Sequence, residues 1–166
     1  VSYFSNNLFL TDWDEESMEQ IEFNDLYDFL YAMKYGTSLE EESITDGIPK
    51  EEFENVVQSY FHISAEDLET YARYDPVNGT YPWEPFGPWN RARGLQPFPE
   101  VVKCVENGDG TWTLYVEAVL VEAGTDCSFK HTVTMKEENG SWIYTGNDVD
   151  EEGSRNIPEY IPRKNF

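Results

Sequence analysis

The sequence predicts an α+β domain in which two or three helices pack on a four-stranded antiparallel sheet. Two observations lead to this prediction. Residues 100–147 form four stretches separated by turn sequences, and in three of them apolar and polar side chains alternate, the period of half-buried strands. Residues 24–74 instead place apolar side chains at helical spacing. Consecutive strands joined by short turns pair as a meander with one apolar face, so we expect the helices to cover that face.

The four strands are separated by turn sequences at 107–110, 123–126 and 138–140. Their predicted inward side chains follow every second position: Trp112, Leu114, Val116, Ala118 and Leu120 on one strand, Phe129, His131, Val133 and Met135 on the next, then Trp142 and Tyr144.

The first predicted helix begins at Asn24, whose side chain is a good N-cap, and stops at Gly36. Its predicted buried stripe consists of Leu26, Phe29, Leu30 and Met33. Upstream, residues 11–14 resemble a capping box and predict a further short helix.

Two more helices are predicted between residues 48 and 74. Pro49 fits the first position of one helix, which carries the apolar stripe Phe53, Val56, Val57, Tyr60 and Phe61. Ser64 and Asp67 form an acidic capping box for the next helix, which we expect to end near Tyr74, before the turn sequence that follows.

Composition divides the chain into three predicted parts. Residues 1–46 carry 12 acidic side chains against one basic one and form an acidic, helical N-terminal extension. Residues 47–147 form the α+β core domain. Residues 148–166 contain Pro158 and Pro162 and are predicted to lie across the domain as an extended tail.

The charge excludes some classes of partner. The 33 acids and 11 bases leave a net charge of -22, which opposes binding to nucleic acid and to anionic membrane surfaces, because both are bound through Lys and Arg. There is also no apolar run of about 18 residues, so direct insertion of the domain into a membrane is not expected.

The two cysteines are predicted to be unpaired. In the meander, Cys104 is expected opposite Thr113 and Cys127 opposite Glu122. That separates the two thiols by about 30 Å along the strand, whereas a disulfide needs Cα atoms within about 7 Å.

The segment from Tyr81 to Pro99 is the best candidate for a ligand-binding surface. It holds five of the nine prolines, so it is expected to be an ordered loop rather than a helix or a central strand. Exposed aromatic rings stack on sugars and peptides at low entropic cost. The candidate binding residues are Tyr81, Trp83, Phe86 and Trp89, with Arg91 at the rim. The alternative is that these rings pack over the open face of the sheet.

One pattern suggests a metal site. Asp148, Asp150, Glu152 and Glu159 follow the spacing of a calcium loop. However, Glu152 replaces the expected Asp or Asn, and Pro158 interrupts the pattern, which favours an acidic solvated turn.

Catalytic motifs and cofactor motifs are not found. His131 lies on the apolar face of its strand and is expected to be a satisfied core residue, while His62 is expected at a helix end. No nucleophile with a base partner, phosphate-binding loop or metal cluster is apparent, so no cofactor is predicted. Carboxylate pairs that could hydrolyse glycosides remain open, because no particular pair stands out among so many acids.

Several short phrases resemble a known group of proteins. They are residues 48–54, 63–66, 80–83, 107–111 and 141–144. They are similar to phrases in uncharacterised, lipoprotein-type extracytoplasmic domains of gut-dwelling Gram-positive bacteria. That resemblance implies helices on a curved antiparallel sheet in a cystatin-like or nuclear-transport-factor-like arrangement. It also implies an exported, lipid-anchored protein, whose leader is not present in this chain, and it carries no catalytic residues.

The leading expectation is therefore a non-catalytic extracytoplasmic binding module, tethered to the cell surface, for a protein or carbohydrate ligand. The first alternative is a carboxylate-dependent hydrolase acting on carbohydrate. The second is a subunit that presents its acidic N-terminal part to a basic protein.

Overall fold

The computed structural model describes residues 3, 5–40, 42, 44–86, 97–120, 125–150 and 160–163, with the backbone alone at residues 125 and 126. Within these residues it consists of three α-helices and a mainly antiparallel sheet. The predicted α+β class is therefore confirmed.

The main sheet has five strands rather than four. The predicted meander is present as β4 (Phe98–Glu106), β5 (Thr111–Leu120), β6 (Thr125–Glu138) and β7 (Ser141–Asp150). A two-residue strand, β1 (Trp13–Asp14), adds to the outer side of β7 and gives the order β1-β7-β6-β5-β4. A separate pair of two-residue strands is formed by β2 (Ile48–Pro49) and β3 (Thr80–Tyr81).

One face of the sheet carries the core, as the alternation predicts, except that Trp142, predicted to point inward, is 43% exposed. Val116, Ala118, Phe129 and Val133 are buried on this face. Strand β7 contains a bulge at Thr145, because Tyr144 pairs with Met135 and Gly146 pairs with Thr134, the next residue of β6. The bulge switches the inward positions of β7 from even-numbered to odd-numbered residues. The inward residues after the bulge are therefore the odd-numbered Asn147 and Val149, both buried.

The first helix, α1, spans Phe23–Tyr35 and ends at Gly36, whose φ of 69° is left-handed as predicted. Its N-cap position is Glu22 rather than Asn24. Asn24 lies instead in the first turn, where its side-chain amide donates to the carbonyls of Ala72 (2.9 Å) and Pro82 (2.6 Å).

Two predictions for the N-terminal part were wrong. Met33 is 42% exposed and lies outside the buried stripe of α1, because the packed face of that helix runs through Phe23, Leu26 and Leu30. Residues 11–14 do not begin an α-helix. Trp13 and Asp14 form β1, and the only helical turn nearby is a 3-10 turn at Met18–Gln20.

The second and third helices lie where they were predicted, but the second has Pro49 as its N-cap residue and ends before Tyr60 and Phe61 of its predicted stripe. Helix α2 spans Lys50–Val57 and buries Phe53, Val56 and Val57. Helix α3 spans Ala65–Tyr71, three residues shorter than expected. Its cap is the predicted one: the Ser64 hydroxyl accepts a hydrogen bond from the Asp67 N–H (3.0 Å) and donates to the Asp67 carboxylate (2.6 Å).

The helices, the loop residues around them and the N-terminal segment form one core with the sheet. Tyr3, Leu8, Phe9 and Trp13, all from the part predicted as an N-terminal extension, pack in the same cluster as Phe61 and Phe129. The backbone N–H of Tyr144 donates to the Tyr60 carbonyl (2.9 Å) and joins the segment after α2 to the edge of β7.

Candidate functional site

Two of the predicted binding rings belong to the core. Tyr81 is fully buried, stacks on Phe53 with ring centroids 4.3 Å apart, and donates its hydroxyl to Glu54 Oε1 (2.8 Å). Trp83 is also buried. These two side chains are therefore not exposed, and Tyr81 packs on a ring of α2.

Of the remaining candidates, Phe86 is half-buried and lies under the guanidinium group of Arg163, 5.5 Å from its ring centroid. Trp89 and Arg91 lie outside the described residues. Phe86 thus contacts a side chain from the C-terminal segment of its own chain, and the binding role proposed for the set remains a prediction.

The C-terminal segment forms a buried polar cluster that the sequence did not reveal. The Arg163 guanidinium donates through Nη2 to the carbonyls of Ser5 (3.1 Å) and Asp25 (2.8 Å) and to both carboxylate oxygens of Asp28 (3.0 and 3.1 Å). The Asp25 carboxylate accepts hydrogen bonds from the Tyr160 hydroxyl and the Arg163 N–H. Burial raises the pKa of Asp25, and these two hydrogen bonds oppose the rise. Residues 160–163 therefore contact α1 and the N-terminal segment, while residues 148–150 of the predicted tail belong to β7 and residues 151–159 lie outside the described residues.

Two shallow pockets adjoin the loop before β2. One, of about 420 Å³, lies between the end of α1 and this loop, with Tyr31, Asp46 and Glu52 in its lining. The other, of about 470 Å³, is lined by Asp46, Arg73, Asp75 and Glu84, among other residues. Their carboxylates are the nearest approach to a hydrolase site among the described residues.

Asp75 in the second pocket lacks the signature of a general acid. A glycosidase acid needs a raised pKa. The pKa of Asp75 is instead lowered, first by the hydrogen bond from the Val77 N–H and then by the Asn78 side chain. In the described part of the chain, Asp25 is the carboxylic acid with a raised pKa, and its own chain already holds it. The hydrolase alternative gains no support from these residues.

His131 is the satisfied core residue that the sequence predicts. Its Nε2 accepts from the Tyr3 hydroxyl (2.9 Å), and its Nδ1 donates to Asn147 Oδ1 (2.7 Å). The Asn147 amide donates in turn to the Thr11 carbonyl (2.8 Å). Burial lowers the pKa of His131 to about 4, so the ring is neutral near pH 7.

His62 lies just beyond α2, as predicted, and joins two acidic side chains. Its Nδ1 is 2.9 Å from Glu15 Oε1 and its Nε2 is 3.0 Å from Glu138 Oε2. The hydrogen bond with Glu15 is the largest cause of a raised pKa for this imidazole.

Both cysteines are free, as predicted. Cys104 pairs with Leu114, one position from the expected register, and is exposed. Cys127 is half-buried, and burial raises the pKa of its thiol, which makes it a poor nucleophile at neutral pH.

The calcium-loop pattern does not begin in a loop. Asp148 and Asp150 lie in β7, where they pair with Thr132 and Lys130 and point to the outer face of the sheet. A calcium loop needs a tight turn at these positions, which extended backbone does not supply. Glu152 and Glu159 lie outside the described residues. No group of three or more potential metal ligands comes together among the residues that are described.

The most unusual surface is the free edge of β4. This strand is nine residues long and pairs with β5 on one side, while no described residue pairs with its other edge. Its side chains are almost all exposed, including Phe98 at 49%, Val101 at 54% and Val102 at 53%. Long apolar edges are normally covered or shortened in soluble proteins, because their unpaired N–H and C=O groups recruit further strands.

Both faces of the sheet remain open beside this edge. On the outer face, Tyr115 is exposed and the Lys103 ammonium group lies 4.9 Å from its ring centroid. A shallow groove of about 350 Å³ starts there and runs past Thr132 to Asp148. On the inner face, Val101 and Cys104 are exposed, although their partners Val116 and Leu114 face the core side. We call this strand, with Tyr115, the β4 edge.

A bulge shapes the β4 edge. Val101 pairs with Val116 and Lys103 pairs with Tyr115, so Val102 is an extra residue without a partner on β5. A bulge of this kind twists the strand and limits pairing between identical edges. The edge is therefore bulged rather than a flat, regular template for another strand.

Comparison with known proteins gives one match. Residues 1–163 match the profile of a Family of unknown function (DUF6070). The chain belongs to this family. Neither the curated proteins nor the solved structures contain a detectable match.

The match to the DUF6070 family spans the three predicted parts of the chain, from the acidic N-terminal part through the sheet to the C-terminal segment. Among the described residues, no helix of the DUF6070 protein is long and apolar enough to cross a membrane.

Proposed function

We propose that this protein is a non-catalytic interaction module that binds an extended segment of a protein partner along the β4 edge. The observation that carries the proposal is the nine-residue strand with an unpaired backbone edge and three apolar side chains that are each about half exposed. Addition of a strand to such an edge gains main-chain hydrogen bonds, and alternate side chains of the added segment provide specificity.

The groups next to the edge support binding on both faces. An added strand would place one set of side chains beside Lys103 on the outer face, with Tyr115 one strand further away, and the other set beside Val101 and Cys104 on the inner face. Burial of Phe98, Val101 and Val102 would contribute about 25 cal/mol for each Å² of apolar surface removed from water.

We further propose that binding takes place outside the cytoplasmic membrane, on a protein tethered to the cell surface. The support for this part is the resemblance to lipoprotein-type domains. The exposed Cys104 thiol provides a test. A maleimide that does not cross membranes should label Cys104 on intact cells, with Cys104→Ser as the control. Labelling only after cell lysis would overturn the location.

Strand addition is tested with three series of fluorescent nine-residue peptides. Val alternates with Thr in the first series, with Lys in the second and with Glu in the third. At least one series should bind and should slow amide hydrogen exchange within Phe98–Glu106. Two further peptides carry N-methyl groups at either the odd or the even backbone nitrogens. One of the two should fail to bind, because its blocked N–H groups would face the edge of β4.

A matched pair of variants places the binding on β4. Val101→Lys puts a charge on the edge, and Val77→Lys makes the same change at an exposed turn. We expect Val101→Lys to weaken binding at least tenfold and Val77→Lys to leave it within twofold. Equal binding by both variants, or slowed exchange only outside β4, would refute the proposal.

A further inference from the structure

We infer that the segment bound at the β4 edge is basic and also carries apolar side chains, with a Lys or Arg beside Glu100 or beside Glu106. This inference rests on the proposed strand addition and names the chemistry of the partner. It follows from the charges that the added strand would meet and from the charge of the whole chain.

Two carboxylates at the edge favour a cation on the added strand. Glu100 lies opposite Glu117 on the outer face, and Glu106 lies opposite Trp112 on the inner face. Like charges directly opposite each other destabilise a strand pair. The Glu117 carboxylate is already paired with the Lys130 ammonium group at 2.7 Å, whereas Glu100 and Glu106 have no cation within ion-pair distance among the described residues.

Side chains directly across a strand pair have Cβ atoms about 5 Å apart. A Lys or Arg beside Glu100 or Glu106 would therefore lie within ion-pair reach. Beside Lys103, whose charge rests over the Tyr115 ring, an apolar or aromatic side chain fits better than a second cation. The exposed Val101 and Val102 likewise favour apolar neighbours.

The net charge of the chain disfavours a second copy of this protein as the partner bound at the β4 edge. Two copies would each carry a net charge of -22. They would also bring Glu100 and Glu106 of both edges together. A basic segment is attracted instead, and steering by such a field raises association rates by roughly 10- to 1000-fold at low salt.

The peptide panel tests this inference with two double variants. Glu100→Lys with Glu106→Lys reverses the charge of the edge, and Glu51→Lys with Glu66→Lys makes the same net change on exposed helix positions. In the unmodified protein, we expect the Lys-containing peptide to bind roughly tenfold more tightly than the Glu-containing one, and to weaken when NaCl rises from about 0.05 to 0.3 M. The double variant at Glu100 and Glu106 (the edge variant) should reverse this preference. The double variant at Glu51 and Glu66 (the helix variant) should keep it.

The outcomes separate the two proposals. If none of the three peptide series binds at β4, strand addition itself is refuted, and this inference falls with it. If peptides bind but the Thr or Glu series binds as tightly as the Lys series, the partner is not basic although strand addition stands. Reversal by the helix variant would assign the preference to overall charge and refute the role of Glu100 and Glu106. A dimer in sedimentation that Val101→Lys dissociates would make a second copy the occupant.

Discussion

At the scale of single residues, Arg163 is the side chain on which the most separate segments depend. Its side chain is 2% exposed and contacts the N-terminal segment, α1 and the stretch after β3. Removing one partner from a buried pair leaves the other charge without compensation.

We expect Arg163→Ala to lower the free energy of unfolding by roughly 3 to 5 kcal/mol, the range for a broken buried ion pair. Urea denaturation at pH 7 measures it. The control is Lys130→Ala, which removes a half-exposed partner of Glu117 and should cost far less. Arg163→Met combined with Asp25→Asn should recover part of the loss, because the buried carboxylate is then gone. Equal losses for Arg163→Ala and the control would contradict the assigned role.

His62 makes part of the stability dependent on pH. The pKa of His62 is raised in the folded state, above its ordinary value near 6.5. The ion pairs of protonated His62 with Glu15 and Glu138 therefore contribute fully to the free energy of unfolding below about pH 6.5. This contribution is lost as the pH rises through the folded-state pKa of His62.

The stability difference between the unmodified protein and His62→Gln should accordingly be largest at pH 5.5 to 6 and should shrink by pH 8.5. Urea denaturation at each pH provides the measurement. NMR titration of the two imidazoles supplies an internal check, since His62 should titrate above 6.5 and the buried His131 only near 4. A difference that grows towards alkaline pH would reverse the assigned sign.

At the scale of secondary-structure elements, the pairing of β2 with β3 depends on a glycine. Gly47 has a φ of 89°, and a Cβ atom built there would lie 2.4 Å from the Tyr81 carbonyl oxygen. Gly36 has a similar left-handed φ of 69°, but a Cβ atom there would meet nothing within 4 Å.

Gly36→Ala should therefore cost about 1 to 2 kcal/mol from backbone strain alone. Gly47→Ala should cost clearly more, because it also separates β2 from β3. Thermal or urea denaturation of both variants gives the comparison. Similar losses would show that the close approach to Tyr81 is not required.

The elements of this fold differ in how much of them the sequence could predict. The meander was predictable because its strands are nine to fourteen residues long, are separated by turn sequences, and in β5 and β6 show a clear alternation of apolar and polar side chains. Strand β1 has two residues and so has no period to detect. The bulge at Thr145 also escaped prediction, because it depends on pairing with β6 rather than on local composition.

The candidate site was less predictable than the fold. The turn sequence after β4 and the strands that follow it predict a strand here, but whether that strand is a covered or a free edge depends on where the helices pack. The rings of Tyr81 and Trp83 show the same limit, since an aromatic side chain in a proline-rich segment fits a surface or a core equally well. The pairing of Arg163 with Asp25 joins residues 138 positions apart and leaves no local signal.

At the scale of the whole molecule, charge opposes the compact state. A net charge of -22 places many carboxylates on one small surface, and their mutual repulsion weakens as salt shortens the Debye length to about 10 Å at 0.1 M and to less above it.

The melting temperature at pH 7 should therefore rise when NaCl is raised from about 0.02 to 0.5 M. The same salt step near pH 4 should have a smaller effect, because carboxylates are partly protonated there and the repulsion is reduced. Calorimetry at both pH values is the measurement. A melting temperature that falls with salt at pH 7 would show that ion pairs such as Lys50 with Glu54 outweigh the repulsion.

The position of Arg163 also constrains the order of events during synthesis. The Ser5 carbonyl and the buried Asp25 must wait for a side chain that the ribosome adds about 140 to 160 residues later. Contacts of such long sequence separation slow folding, because the intervening chain must close before they form. Until then the Arg163 guanidinium is absent from the α1 carboxylates. A nascent chain that already contains all five strands of the main sheet would therefore still hold its helical layer loosely.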